Sequence, residues 1–260
     1  MHLADAFATM DLSPLNGASI LRRKVCIYGA GLGKHEAPLD DPSWEVWSLN
    51  LVPPLDSRGR LRCDKWFDLH QRKAQTKDDL RWIAACPVPI YLPPDLMDAS
   101  PRAIRFPLEE IEKALKSKYW AVSFAYQIAL VMYENWKWAD SVIDGAKATD
   151  LVVEDVCEKA MSNMPYTDLG LYGIELAWGT ERERTVEWAC ASYWLGRAQQ
   201  SGLRIHTPVK EQSLLGQHYA RYGFEYQEEI DAVNLYVGKV DWEDDDRRES
   251  DDWKGDVGGR

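Results

Sequence analysis

Short apolar segments alternate along this chain of 260 residues with segments that have the periodicity of helices. The strand-like segments are rich in aromatic and β-branched residues, and several end on a polar residue. They lie at residues 24–29, 44–50, 63–70, 87–92, 168–178 and 203–208. Connections of helical length between successive strands favour a parallel sheet with helices on both faces. The sequence therefore predicts a Rossmann-like α/β fold.

Helix signals fill the intervals between these strands. Residues 76–86 begin with Thr76 as an N-cap and Asp79 three positions later, which is the pattern of a capping box. Pro107 can open a helix over residues 108–118, and residues 123–136 form a strongly apolar helix. Residues 180–202 combine a second capping box with an apolar stripe and a closing glycine. The alternation thus extends over most of the chain.

The chain length suits one α/β domain with appendages. Residues 1–20 are interpreted as an N-terminal arm and 21–225 as the Rossmann-like domain, with an insertion at about 138–167. Residues 226–260 lose the periodicity and become acidic, which predicts a flexible tail. Twelve tryptophans indicate either a thick core or an aromatic-lined pocket.

Charge and cysteine content exclude several classes of protein. The formal net charge is −11, and an acidic surface repels phosphate backbones, which disfavours DNA or RNA as a partner. Five scattered cysteines without CxxC spacing indicate neither a disulfide framework nor a zinc site, and Cys26 and Cys190 are predicted to be core residues. We find neither a secretory signal nor an apolar run of membrane-spanning length, so the expected location is the cytoplasm.

In parallel α/β sheets, ligands bind where the strands end, near the point at which the strand order reverses. We call this side of the sheet the carboxyl edge and the opposite side the amino edge. The rule selects residues 29–34, Asn50, His70, Ser123 and residues 173–175 as candidates.

The loop "GAGLGK" at residues 29–34 follows the first strand. Gly29, Gly31 and Gly33 have G-x-G-x-G spacing, one residue short of the dinucleotide fingerprint, and Asn50 replaces its ribose-binding acid, so NAD is not the expected cofactor. A P-loop is excluded because His35 stands where a magnesium-binding Ser or Thr is needed. The glycines favour contact between backbone N–H groups and a phosphate or ribose, with a tight turn as the alternative.

The other candidates each have a binding and a structural interpretation. Asn50 has a donor and an acceptor for a ribose or base, or it forms a turn. His70 is a general base or a phosphate contact, or it is bonded into its loop. Ser123 caps the helix that follows and faces any anion there. Glu175 can hold a ribose hydroxyl or a metal, although we predict no metal site from these residues.

The segments "WSLN", "DKWFDLH", "SFAYQIAL" and "YGIELA" occur in this order within residues 22–215. In this respect the chain resembles an uncharacterised family of Rossmann-like bacteriophage proteins. It is more remotely similar to bacterial sialyltransferases that use CMP-sialic acid and to 6-hydroxymethylpterin diphosphokinase-like proteins. It departs from their pattern at Leu32 and Gly33 in the loop, at Phe124, and at Glu175, where an aspartate is usual.

The resemblance implies a nucleotide-binding protein of phage type, acting in the cytoplasm of the host. It implies a transferase that uses a nucleotide-activated donor such as a nucleotide sugar, with His70 and Glu175 as catalytic residues. Gly29, Gly31, Gly33, Asn50 and Ser123 then bind the nucleotide. The alternative is a non-catalytic protein that sequesters a host or signalling nucleotide. The identity of the base, the acceptor and the oligomeric state stay open.

Overall fold

A computed structural model describes residues 24–49, 52–147, 163–174 and 186–208. Among the features predicted above, the N-terminal arm, the acidic tail and residues 148–162 of the insertion lie outside the described residues. Asn50 and Glu175 also lie outside them, each directly after a described segment.

Seven parallel strands form one sheet in the order β5-β4-β3-β2-β1-β6-β7. The strands are β1 (Lys24–Tyr28), β2 (Trp44–Leu49), β3 (Lys65–Phe67), β4 (Ile90–Leu92), β5 (Ala103–Arg105), β6 (Asp168–Tyr172) and β7 (Arg204–His206). From β1 the chain adds strands on one side up to β5 and then crosses to β6 on the other side. The order therefore reverses between β1 and β6, and the predicted Rossmann-like α/β fold is confirmed.

The described residues contain four α-helices, which are α1 (Lys77–Ala85), α2 (Leu108–Leu115), α3 (Ser123–Lys147) and α4 (Trp188–Gln200). Thr76 caps α1 with Asp79 in a complete capping box, as predicted. Helix α3 is longer than predicted, so residues 138–147 of the predicted insertion continue the helix. Strand β5 was not predicted, because three residues with two exposed side chains have no alternating apolar pattern.

The two faces of the sheet are covered differently. Helices α2, α3 and α4 pack on one face and bury the larger core, which includes Trp47 and Trp194. On the other face, α1 covers β3 and β4 around Trp66 and Trp82, while the connection after β1 covers Trp44 and Tyr172. These five tryptophans and Tyr172 lie in the core, so packing accounts for much of the tryptophan content.

The described residues of the connections from β1 to β2 and from β2 to β3 contain no α-helix. The buried guanidinium of Arg62 holds them together: it donates to the carbonyls of Leu39 and Trp44 at 3.0 and 3.1 Å and lies 3.8 Å from the Asp64 carboxylate. One buried cation thereby satisfies backbone acceptors that a helix would otherwise have paired.

Cys26 and Cys190 are fully buried, which confirms their assignment to the core. Burial also raises the pKa of the Cys26 thiol far above its ordinary value.

Among the helices that the structure describes, none combines the length and apolarity needed to span a membrane.

Candidate functional site

The glycine loop packs directly against the end of β6, at the point where the strand order reverses. A Cβ atom on Gly29 would lie 2.3 Å from the carbonyl oxygen of Gly173 and 2.6 Å from Cδ1 of Ile174. Gly173 has a φ of +67°, and a Cβ there would lie 2.6 Å from the carbonyl oxygen of Gly29. The two backbones therefore approach each other more closely than residues with a Cβ atom would allow.

Hydrogen bonds join the same two segments. The N–H of Gly29 donates to the carbonyl of Tyr172 at 2.8 Å, and the N–H of Gly31 donates to the carbonyl of Gly173 at 2.9 Å. Both N–H groups are thus used within the protein and do not face a ligand in this conformation. The close approach to Gly173 explains why residue 29 is a glycine. The predicted contact of Gly29 and Gly31 with phosphate stays a prediction that needs the loop to open.

Lysine side chains stand beside this edge of the sheet. The side chain of Lys34 starts at the point where the strand order reverses, because the Cβ of Lys34 would lie 2.8 Å from a Cβ on Gly173. Lys73 is exposed on a short 3₁₀ helix after β3. Within the described ranges neither ammonium group has an ion-pair or hydrogen-bond partner. Because the whole chain carries a net charge of −11, two such cations at one edge of the sheet favour an anionic ligand there.

His70 and Asp68 form a hydrogen-bonded pair directly after β3. Nδ1 of His70 lies 2.9 Å from Oδ1 of Asp68, whose side chain is only 6% exposed. Oδ1 also accepts from the N–H of His70 at 3.1 Å and from Nε2 of Gln75 at 3.0 Å. The backbone N–H of Asp68 still pairs with Tyr91 of β4 at 3.0 Å. The carboxylate is therefore anchored to the sheet and surrounded by donors.

This pair determines which imidazole nitrogen can act as a base. An ionised carboxylate has only acceptors, so it favours the neutral tautomer of His70 that carries its proton on Nδ1 and has its lone pair on Nε2. The imidazole is 55% exposed, and no described residue hydrogen-bonds Nε2. A buried carboxylate that orients an exposed imidazole is the arrangement used for general base catalysis. Sequence reasoning selected His70 and missed Asp68, although the two are separated by a single residue in "DLH".

Tyrosines near this edge have a different role. Burial raises the pKa of Tyr91 and of Tyr172 to about 12. Both hydroxyls are consequently protonated at neutral pH and can donate hydrogen bonds, but they are not bases.

Helix α3 begins at the carboxyl edge. Its Asn135 donates to the carbonyl of Tyr166 and accepts from the N–H of Tyr166, two residues before β6, which places Asn135 at the amino edge. Ser123 lies twelve residues earlier, about 18 Å along the helix axis. A five-residue strand such as β6 spans about 16 Å, so Ser123 is at the opposite edge. Ser123 is the first residue of α3, and its exposed hydroxyl has no hydrogen-bond partner among the described residues.

The carboxyl edge brings together most of the described candidates. Gly29, Gly31 and Gly33 follow β1, while His70 follows β3, two strands away or about 10 Å across the sheet. That separation is within the length of a nucleotide. Sequence reasoning also missed the polar residue Gln127. The signal that could have indicated it is a glutamine inside an otherwise apolar helix.

The amino edge has polar clusters of its own. Asp168 accepts from Arg204 at 2.8 Å and from Thr167 at 2.7 Å, and it lies 2.7 Å from Nε2 of His206. Burial alone would raise the pKa of Asp168, but these hydrogen bonds outweigh it and hold the pKa below its ordinary value. The cluster attaches the edge strand β7 to β6, which is a structural role.

A second cluster joins β2 to β3. Nζ of Lys65 lies 2.6 Å from Glu45 and 4.3 Å from the centre of the Trp47 ring, and the Tyr166 hydroxyl donates to Glu45 at 2.9 Å. Burial would raise the pKa of Glu45, but Lys65 together with hydrogen bonds from Trp47 and Tyr166 lowers it. Each of these polar groups has a partner within the cluster, which is a structural role. In the part of the chain that the structure describes, no group of His, Cys, Asp and Glu side chains could hold a metal ion.

Comparisons of this chain with known protein families, with curated proteins and with solved structures find no match. The resemblance to the phage family therefore stays a prediction, and functional argument depends on the carboxyl edge itself.

Proposed function

We propose that this protein binds a nucleotide at the carboxyl edge of its sheet and transfers a group from a nucleotide-activated donor, such as a nucleotide sugar. The observation that carries the proposal is the pair formed by Asp68 and His70. A buried carboxylate holds an exposed imidazole in the tautomer that accepts a proton, at the edge where parallel α/β sheets bind ligands.

In the proposed reaction, Nε2 of His70 accepts the proton of an acceptor hydroxyl. The oxygen attacks the carbon of the donor that carries the nucleotide, a new C–O bond forms, and the bond to the phosphate oxygen breaks. The nucleotide leaves with the electron pair of that bond. Asp68 stabilises the imidazolium that forms, since its charge and its hydrogen bond are already in place.

The leaving phosphate needs compensating charge. Lys34 at the reversal point and Lys73 after β3 supply cations at this edge, and Ser123 stands at the first turn of α3, where the helix dipole is positive. Asn50 and Glu175 keep the ribose and hydroxyl contacts proposed from the sequence.

The second candidate is a protein that sequesters a nucleotide without reacting with it. The specific observation in its favour is that Lys34 and Lys73 attract an anion whether or not a base is present. This candidate assigns no proton transfer to His70, and so the two functions differ in what the imidazole contributes.

The test measures nucleotide binding and donor turnover separately. The purified protein is titrated calorimetrically with nucleotides and nucleotide sugars, and release of free nucleotide is then followed with a panel of hydroxyl acceptors. We expect His70→Ala to bind the nucleotide as the wild type does and to lose turnover by about 10²- to 10⁴-fold, the usual contribution of a general base.

His206→Ala is the matched control, because His206 is also paired with a buried aspartate but lies at the amino edge. It should keep full turnover. Binding without turnover by the wild type would favour sequestration, and equal turnover by His70→Ala and His206→Ala would contradict the role of His70. A wild-type protein that binds none of these ligands would refute both candidates.

A further inference from the structure

Two buried carboxamides on helix α3 differ in how they are satisfied. Asn135 has a backbone partner for each of its two polar groups, since its amide donates to the carbonyl of Tyr166 at 2.8 Å and its oxygen accepts from the N–H of Tyr166 at 2.9 Å. Gln127 is fully buried, yet neither its nitrogen nor its oxygen has a hydrogen-bond partner among the described residues. A buried carboxamide without partners is strongly unfavourable, because the water it has lost is not replaced.

The position of Gln127 relates it to the candidate site. It lies four residues after Ser123, about 6 Å or one turn from the start of α3 at the carboxyl edge. In an α-helix the Cα–Cβ bonds tilt towards the N-terminus, and a long side chain covers the turn that precedes it. This tendency favours an orientation of the Gln127 carboxamide towards the first turn of α3, which is the end of the helix at the proposed nucleotide site.

Helix α3 packs against β1 and β2 and lies between α2 and α4. The residues that surround Gln127 along the helix are apolar and buried, among them Phe124, Ile128 and Val131. In such surroundings a carboxamide gains most from a ligand that offers a donor and an acceptor side by side. A nucleobase has this pattern at its edge, and Gln pairs with adenine through both groups at once. Phosphate oxygens only accept and do not have it. The ribose hydroxyls do have it, and the probe ribose 5-phosphate used below separates ribose from base.

We propose that Gln127 binds the base of the nucleotide and determines which base is accepted. This inference rests on the proposed nucleotide site and adds to it the residue that reads the base. The ligand class is a nucleotide whose base has an adjacent donor and acceptor, with its phosphate nearer to the start of α3.

The experiment compares Gln127→Met with the wild type and with Asn135→Leu. Methionine keeps the length and the helix propensity of glutamine and removes both polar groups. In the absence of ligand, Gln127→Met should melt no lower than the wild type, because the carboxamide has nothing to lose. Asn135→Leu should melt roughly 5–10 °C lower, because it leaves the backbone groups of Tyr166 unpaired.

Calorimetric titration then uses the best nucleotide from the wild-type panel, with ribose 5-phosphate and pyrophosphate as probes that lack a base. Loss of a two-point contact with a base predicts a dissociation constant for Gln127→Met about 5- to 150-fold higher for the nucleotide. Affinity for the two probes should be unchanged. Gln127→Leu repeats the measurement with a second apolar side chain in case methionine repacks.

Each result has a distinct meaning. If the wild type and Gln127→Met bind the nucleotide equally, the inference is overturned while the nucleotide site stands. If Gln127→Met melts well below the wild type without ligand, the carboxamide has a structural partner such as buried water, and the inference is overturned as well. If the wild type binds no nucleotide, the proposed function fails first and the role of Gln127 fails with it.

Discussion

Gly29→Ala is the substitution for which the structure makes the sharpest statement about stability. The new methyl carbon would lie 2.3 Å from a backbone oxygen of Gly173 and 2.6 Å from Ile174. These distances are about 1 Å shorter than ordinary van der Waals contact. The nearest atom belongs to the backbone of the neighbouring segment, so the clash cannot be relieved by rotating a side chain.

The cost has two parts. Overpacking in a well-packed region costs about 1–3 kcal/mol. Separating the loop from the end of β6 would also weaken the two hydrogen bonds from Gly29 and Gly31, each worth about 0.5–1.5 kcal/mol. We therefore expect a loss of about 3 kcal/mol in the free energy of unfolding, which is a large part of the 5–15 kcal/mol typical of a domain.

Urea denaturation followed by tryptophan fluorescence measures this loss, with Gly196→Ala as the matched control. Gly196 is exposed on α4, and a Cβ there has nothing within 4 Å. Alanine in a helix is more stable than glycine, so the control should gain about 0.5–1 kcal/mol. If Gly29→Ala is as stable as the wild type, the close approach at the reversal point does not exist as described. The glycine would then serve ligand contact alone.

Two further predictions concern stability at the amino edge and in α1. Asp168→Asn should lower the free energy of unfolding by about 1–2 kcal/mol at pH 7, a modest value because Arg204 is 72% exposed. Since the pKa of Asp168 is lowered by folding, its contribution is complete above pH 4 and is lost as the pH falls through the folded pKa. In urea titrations from pH 7 to pH 3, the difference in the free energy of unfolding between the wild type and Asp168→Asn should shrink in acid. A constant difference would contradict this assignment. Thr76→Ala removes the capping box with Asp79 and should cost about 1 kcal/mol, and a melting temperature equal to that of the wild type would show that the cap is unimportant.

The fold was predictable to a large extent because each strand and helix has a local cause. The capping box at Thr76 acts over three residues, and the apolar repeat of α3 is visible within the residues of the helix itself. Strand β5 escaped prediction because it exists only through pairing with β4, and nothing in three largely exposed residues indicates that partner.

The candidate site was only partly predictable. The rule for parallel sheets selects the carboxyl edge, and His70 follows from the end of a strand. The hydrogen bond between Nδ1 of His70 and the buried Asp68 depends on where β3 ends and on how β3 pairs with β4. A pattern along the sequence specifies neither of these.

By itself the sequence determined the alternation of strands and helices, the acidic character and the glycine pattern, since all three depend on neighbours along the chain. The tertiary structure alone decided what those glycines contact, because Gly29 meets Gly173 only when β6 lies beside β1. It also decided that, among the described residues, Asn135 finds partners and Gln127 does not. Whether a buried polar group is satisfied depends on residues far away in sequence, and folding is the step that brings them together.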